Sequence, residues 1–256
     1  MDDRAPLENR RKLAVTLAPL MPVGETSPRR ALEQLGEKGF GFVQFSATQP
    51  GLRPRELDDS ARRDLLSLLR RHELAPSGID AWIPTAHFGD PAAVDRALAA
   101  MFGAIELAAD LGRVPVGVNL ADAVEPVLAI INHAHHHGVP LADHTIPVVA
   151  REGVSFGIDP TACLAQNEDP SAVVAQNSGR LISARLTDLL HTGMRGPVSQ
   201  ITRGLLDVAR YRLALNLAGF TRPAILDARQ WPDPWNDIMI TSSAWQDADA
   251  GYFAGR

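Results

Sequence analysis

Four charged residues close or follow short apolar runs in the second half of the chain: Asp143, Asp159, Arg185 and Asp227. A single aspartate in such a place is commonly a turn residue or a helix cap. Repeated at four successive runs, the pattern makes a shared site if the runs lie side by side. Three carboxylates brought together repel one another and need a cation between them, either a metal ion or a guanidinium. Period-two alternation sets Ser183 with Arg185 on one strand face, and Ile225, Asp227 and Arg229 on another.

The runs read as buried strands, being brief, partly β-branched and flanked by Gly or Pro. They are Leu13–Leu17, Gly41–Phe45, Ser77–Trp82, Val114–Leu120, Val139–Ala142, Val154–Ile158, Leu181–Leu186 and Pro223–Leu226. Helical patterns lie between them. Ser27 is expected to cap a helix that has Pro28 at its first position. Asp58, Asp59 and Ser60 open another, closed by Arg70, Arg71 and His72, a polarity that suits the helix dipole. Val94, Leu98, Met101, Ile105 and Ala108 make one apolar stripe. Glu125–His137, Val198–Leu217 and Trp235–Trp245 are further helical segments, with Val198, Ile201, Leu205 and Val208 inward and Arg203 and Arg210 outward. Thr145–Gly153 is too short for a full helix, so one outer helix is expected to be reduced.

Eight strands alternating with helices imply a parallel sheet, either closed or doubly wound. The length of 256 residues matches the roughly 250 of a (β/α)₈ barrel. With the count of eight, it favours a single α/β TIM barrel with eight parallel strands. No linker-like stretch divides the chain, so residues 1–11 are expected to be a charged tail and 12–256 one domain. In such barrels the reacting groups sit at the C-terminal ends of the strands.

The strand ends Leu141-Ala142-Asp143-His144, Gly157-Ile158-Asp159-Pro160, Arg185-Leu186-Thr187-Asp188 and Ile225-Leu226-Asp227 resemble those of the xylose-isomerase-like TIM barrels, the sugar phosphate isomerase/epimerase group. The resemblance runs from the first strand to Trp235, by layout rather than by a dense motif. It implies a divalent metal (Mn, Mg or Zn) held by Asp143, Asp159 and Asp227. It also implies a sugar or sugar-phosphate substrate isomerised or epimerised by proton transfer. In this chain Asp143 and Asp227 stand where the family has Glu. Arg185 and Ala162 stand where it has histidines, which weakens or removes the metal site, because a guanidinium has no lone pair to offer.

On that basis Asp143 and Asp227 are the expected proton-transfer groups, with His144 as an auxiliary acid or base. Arg185, His87, Trp82, Asn119 and Arg229 are the expected substrate contacts, Arg185 binding a substrate oxygen or phosphate or holding the carboxylates. Trp231 and Trp235 either face the substrate or pack the last helix. The alternative is a non-catalytic carbohydrate-binding or scaffold barrel that has lost the family metal site.

Composition narrows the partners. Lys and Arg total 25 against 30 Asp and Glu, a formal charge of -5. That leaves no basic surplus for a nucleic-acid backbone, which disfavours a nuclease role. No apolar run reaches the ~20 residues of a membrane span. A small-molecule partner is expected, and a homo-oligomer is compatible with the pattern. Arg10-Arg11-Lys12 before an apolar stretch resembles a signal peptide, but Asp2, Asp3 and Glu8 dilute its charge and Pro19 and Pro22 interrupt it. A cytoplasmic protein is therefore expected. The lone Cys163 forms no internal disulfide. The tract Asn132-His133-Ala134-His135-His136-His137 closes a helix and is read as a solvated end favoured by the dipole.

Overall fold

The computed structural model describes residues 10, 12–120, 122–199 and 204–254. Expectations for residues 1–9, for Ile201 and for Arg203 fall outside them. The strands are β1 (Leu13–Thr16), β2 (Phe42–Ser46), β3 (Ala75–Asp80), β4 (Val116–Val118), β5 (Leu141–Asp143), β6 (Ser155–Ile158), β7 (Leu181–Leu186), β8 (Asp188–Leu189), β9 (Arg195–Gly196) and β10 (Ala224–Leu226). All but β8 and β9 form a closed parallel barrel, with β10 between β7 and β1. Closure is set by Leu13 opposite Ala224 and Val15 opposite Leu226. The short β8–β9 hairpin is antiparallel.

Alternation along each strand builds two layers. Val15, Val43, Phe45, Ile79, Val116, Val118, Leu141 and Leu226 belong to one apolar cluster. It takes in the buried faces of α1 (Arg29–Glu37), α2 (Asp59–Arg71), α3 (Val94–Asp110) and α4 (Val124–His137). Phe156, Ile158 and Ala184 belong to a second cluster. There they meet α5 (Pro160–Ala165), α6 (Pro170–Gln176) and α7 (Val208–Leu217). The alternate residues Thr16, Gln44, Asp80, Ser183, Arg185 and Asp227 are buried and polar. They make the barrel interior charged near its C-terminal end.

Several helix boundaries differ from the sequence expectation. Of the segment expected as a helix over Val198–Leu217, Val208–Leu217 is helical, with Asp207 accepting from the Arg210 amide, whereas the described residues 198–199 and 204–207 are not. Before it, the chain after β7 doubles back as the hairpin, and the Asp188 carboxylate accepts from the Leu206 amide. That anchor holds Leu206 just outside the helix that follows. Val198 is buried, but Leu205 is exposed rather than inward. Ser27 makes no capping hydrogen bond, since Pro28 itself stands at the cap. Asp58 caps α2 through the Ala61 amide, as its position predicts. No helix occupies Thr145–Gly153. The last helix, α8 (Pro234–Ala254), is longer than the pattern indicates. Trp231 is buried in the main cluster, and the Trp235 indole donates to the Leu20 carbonyl. Both tie the end of the chain to the barrel rather than line its mouth.

Candidate functional site

Topology places the charged strand ends at one rim. Asp80 ends β3, Asp143 ends β5, Arg185 is next to last in β7, and Asp159 and Asp227 follow β6 and β10. Asp159 doubles as the cap of α5, accepting from the amides of Thr161 and Ala162. The hairpin then carries a further guanidinium, Arg195, back over the same carboxylates.

Arg185 is the hub. Its side chain is fully buried at 0% exposure. Nη2 donates to Asp80 Oδ1 at 2.8 Å. Nη1 donates to Asp227 Oδ2 at 3.2 Å and reaches Asp159 Oδ2 at 3.5 Å. Arg195 grips both oxygens of Asp159 at 3.0 and 3.3 Å, and Asp227 Oδ2 at 2.8 Å. Arg229 forks onto Asp227, with Nε donating to Oδ1 at 2.6 Å and Nη2 to Oδ2. The guanidinium carbons of Arg185 and Arg229 lie 4.7 and 4.4 Å from the centroid of the Trp82 ring. Three carboxylates and three guanidiniums thus balance in charge. Planar forks hold them in one geometry, as bidentate pairing does.

Burial pushes the Asp227 carboxyl up, but Arg229 first, then Arg185 and Arg195, overcome it and hold the group far below the usual carboxylate range. The guanidinium of Arg229 is raised in return, mainly by Asp227 and against the opposing cost of its own desolvation. A carboxylate so stabilised is a weak base. Proton abstraction by Asp227, expected from the sequence, is therefore disfavoured.

Asp143 stands apart from this knot. Its Oδ1 accepts from the amides of Leu120 and Thr145 and from the Thr145 hydroxyl, while Oδ2 accepts from Arg151 Nη1 at 2.8 Å. Arg151 comes from the non-helical segment after β5. The sequence pattern places Asp143 beside Arg185, but Asp80 takes that position instead. The cause is register. Ala142 and His144 alternate toward the barrel interior, so Asp143 turns into the loop.

His144 enters the interior over two glycines. A Cβ on Gly157 would lie 2.5 Å from the ring Cε1 and Nε2, and one on Gly117 3.5 Å from Nε2. The imidazole is buried, and neither ring nitrogen has a hydrogen-bond partner. Desolvation, then Arg185, Arg229 and Arg195, push its pKa well below the usual value, with Asp227 opposing. The ring is neutral, with one nitrogen a donor and the other an acceptor. Gly157→Ala should destabilise the protein by about 1–3 kcal/mol, because the new methyl displaces a packed ring. Adding His144→Ala should recover most of that loss in urea unfolding. An equal loss with and without His144 would contradict the packing seen here.

The remaining expected contacts sit around the same rim. Trp82 follows β3 and stacks with the arginines. Asn119 follows β4 with its Oδ1 buried and unpartnered. His87 lies half-buried on a short turn of helix, Thr85–Phe88. Sequence reasoning missed Arg195 and Arg151 and did not connect Asp80 to the set. A hairpin turn at Gly193, where φ is +80°, is the one local signal that would have directed Arg195 inward.

The divalent metal implied by the resemblance does not fit these residues. Two of its three carboxylates, Asp159 and Asp227, are occupied by guanidiniums, and the third, Asp143, is bound elsewhere by Arg151. Arg185 stands at the histidine position as a permanent cation. Replacing Arg185 by His would leave Arg195 and Arg229 on the same oxygens. A restored imidazole alone therefore makes no metal site.

No family model and no curated protein matches the sequence. Solved structures do match the fold. A xylose isomerase domain protein from Planctomyces limnophilus superposes with a TM-score of 0.72 at 14% identity, over 93% of this chain and 96% of that one. A D-tagatose 3-epimerase-like protein gives 0.73 at 12% identity, over 94% and 99%. A xylose isomerase-like TIM barrel protein from Mycobacterium smegmatis, in complex with magnesium, gives 0.64 at 17% identity, over 91% and 97%. The chain shares their xylose-isomerase-like TIM-barrel fold.

Proposed function

We propose that this chain is a barrel of the sugar isomerase/epimerase kind that binds a sugar or sugar phosphate at its mouth without a metal. One observation carries this. Around the arginine–aspartate knot, Gln44 Oε1, Trp82 Nε1, Asn119 Oδ1, both nitrogens of His144, and the Nε atoms of Arg185 and Arg195 are buried without partners. Buried polar groups are normally satisfied. A set mixing donors with acceptors matches hydroxyls, which both give and take hydrogen bonds. Arg195 and Arg229 are the partly exposed guanidiniums of the knot, placed to meet a phosphate. Trp82, over whose ring Arg185 and Arg229 lie, helps hold those guanidiniums in place.

The carboxylates expected to move protons are committed, Asp227 to arginines and Asp143 to Arg151, two backbone amides and the Thr145 hydroxyl, which favours binding over carboxylate catalysis. The position of His144, projecting into the barrel interior with neither ring nitrogen paired, supports a second reading, in which the chain is a metal-independent isomerase or epimerase. Its free nitrogen takes the proton from the carbon beside a ketose carbonyl. The enolate oxygen is held by Arg195; the proton is delivered from His144 to the former carbonyl carbon while the hydroxyl proton of the adjacent carbon passes to the enolate oxygen, so the carbonyl moves by one carbon with no net change in atoms or charge.

Titration calorimetry of the full chain in chelator, with pentoses, hexoses and their phosphates, tests the binding. Solvent deuterium exchange into the same sugars tests the chemistry. Binding of a sugar phosphate is expected, weakened about tenfold or more by Arg195→Met, equivalent to at least about 1.4 kcal/mol. Binding without exchange supports the first reading. Exchange that survives chelator and disappears in His144→Gln supports the second. Absence of binding, or exchange only with added metal, would overturn the proposal.

A further inference from the structure

We infer that Glu106, His133 and His137 form a surface site for a borderline divalent cation of the Zn²⁺ type, clamping α3 to α4. It is separate from the barrel mouth and independent of the function proposed there. His133 and His137 stand four residues apart on α4, so they share one helix face. That face lies against α3, which supplies Glu106. The three side chains are half-buried, whereas His135 and His136 are exposed. The structure therefore separates the histidine tract into two ligand-bearing positions and two solvent-facing ones, where the sequence pattern indicated only a solvated helix end.

The geometry is close to what such a cation needs. One ligand atom from each residue lies within 4.8 Å of the others. His133 Nε2 is 3.3 Å from Glu106 Oε1. Tetrahedral bonds of 2.0–2.1 Å separate two ligand atoms by ~3.3 Å. The His133–Glu106 pair already has that spacing, and only His137, in the last turn of α4, must draw in. The His133 Nε2 is buried and outside an aligned hydrogen bond, with Glu106 Oε1 beside it, so both atoms face the space a cation would occupy.

The surroundings hold the ring in place. His133 stacks on Phe102 of α3 with centroids 4.3 Å apart, and the His133 and His137 rings are 4.6 Å apart. Desolvation, reinforced by His137 and opposed by Glu106, lowers the pKa of His133. The negative end of the α4 dipole lies at the same level and favours a cation. Two imidazoles and a carboxylate are donors for Zn²⁺, Co²⁺ or Ni²⁺, whereas Mg²⁺ and Ca²⁺ take oxygen ligands.

The test is titration of the untagged full chain with ZnCl₂, with CoCl₂ as a spectroscopic probe and MgCl₂ as a comparison. One equivalent of Zn²⁺ should bind, with a rise in melting temperature, and Co²⁺ should show the visible bands of a low-coordinate nitrogen–oxygen site. His137→Ala and Glu106→Gln, each checked for folding by circular dichroism, should weaken Zn²⁺ binding about tenfold or more and remove the rise. His135→Ala/His136→Ala should leave both intact. No binding below millimolar Zn²⁺ would overturn the inference. So would Zn²⁺ binding unaffected by His137→Ala and Glu106→Gln, or lost instead in His135→Ala/His136→Ala.

Discussion

Arg185→Leu should lower the free energy of unfolding by about 3–5 kcal/mol, the cost of removing one partner from a buried ion pair. The size follows from where the guanidinium sits. Arg185 has no exposed surface, and it alone links Asp80 to the other two carboxylates. Without it Asp80 keeps, among the described residues, one side-chain donor, the Gln44 amide at 3.3 Å, and remains buried. Asp159 and Asp227 still have Arg195, and Asp227 has Arg229. The deficit is therefore concentrated at Asp80, so Asp80→Asn in the Arg185→Leu background should restore part of the loss. The interaction energy between the two sites should fall near 1–3 kcal/mol, the range for residues in one network. Urea unfolding of the four proteins in this cycle provides the measurement. A single-variant loss below about 1 kcal/mol, or strict additivity, would show that the knot is not held through Arg185.

Asp227→Asn is expected to cost a similar 3–5 kcal/mol at neutral pH and to flatten the acid limb of the stability curve. Asp227 has no exposed surface, and three arginines converge on its carboxylate. Its folded pKa is depressed below the unfolded value of about 3.9. The unfolded chain therefore binds the proton first as pH falls. The contribution of Asp227 is complete above the unfolded pKa and is lost progressively below it, toward the folded value. His144 adds an earlier step with the same sign. Its folded pKa is also depressed, so stability declines as pH drops below the unfolded value of about 6.5. Unfolding from pH 7 to 2 should thus show two regions of loss in the native protein. The upper one should be absent in His144→Gln, and the lower one should be reduced in Asp227→Asn. A native curve flat between pH 5 and 2 would contradict the charge balance seen at the barrel mouth.

The architecture was legible because its determinants are local. Short β-branched runs such as Val154–Ile158 and Leu181–Leu186, alternating with stripes such as Met101, Ile105 and Ala108, admit few arrangements once eight repeats are counted. The same alternation located Arg185 and Asp227 on inward faces. Segments whose conformation depends on distant anchors were not legible. Helical apolar spacing begins at Val198, yet the helix itself starts only with Val208, after the Leu206 amide donates to Asp188. The histidine tract carries no sign of the two histidines that meet Glu106, because that meeting depends on how α3 and α4 pack.

By itself, then, the sequence favoured a parallel eight-strand barrel, through its length and its count of strands, and set carboxylates and an arginine at the C-terminal strand ends. Which charges neutralise which was decided by the tertiary structure. Asp143 leaves the central set because one residue of register turns it toward Arg151, and His144 takes the interior place. Asp80 joins from a strand 105 positions away from Arg185, and Arg195 arrives on a hairpin with almost no sequence signature. Ion pairing acts at a few ångströms between side chains, whatever their separation along the chain. Only barrel closure brings Asp80, Asp159 and Asp227 within reach of Arg185, Arg195 and Arg229.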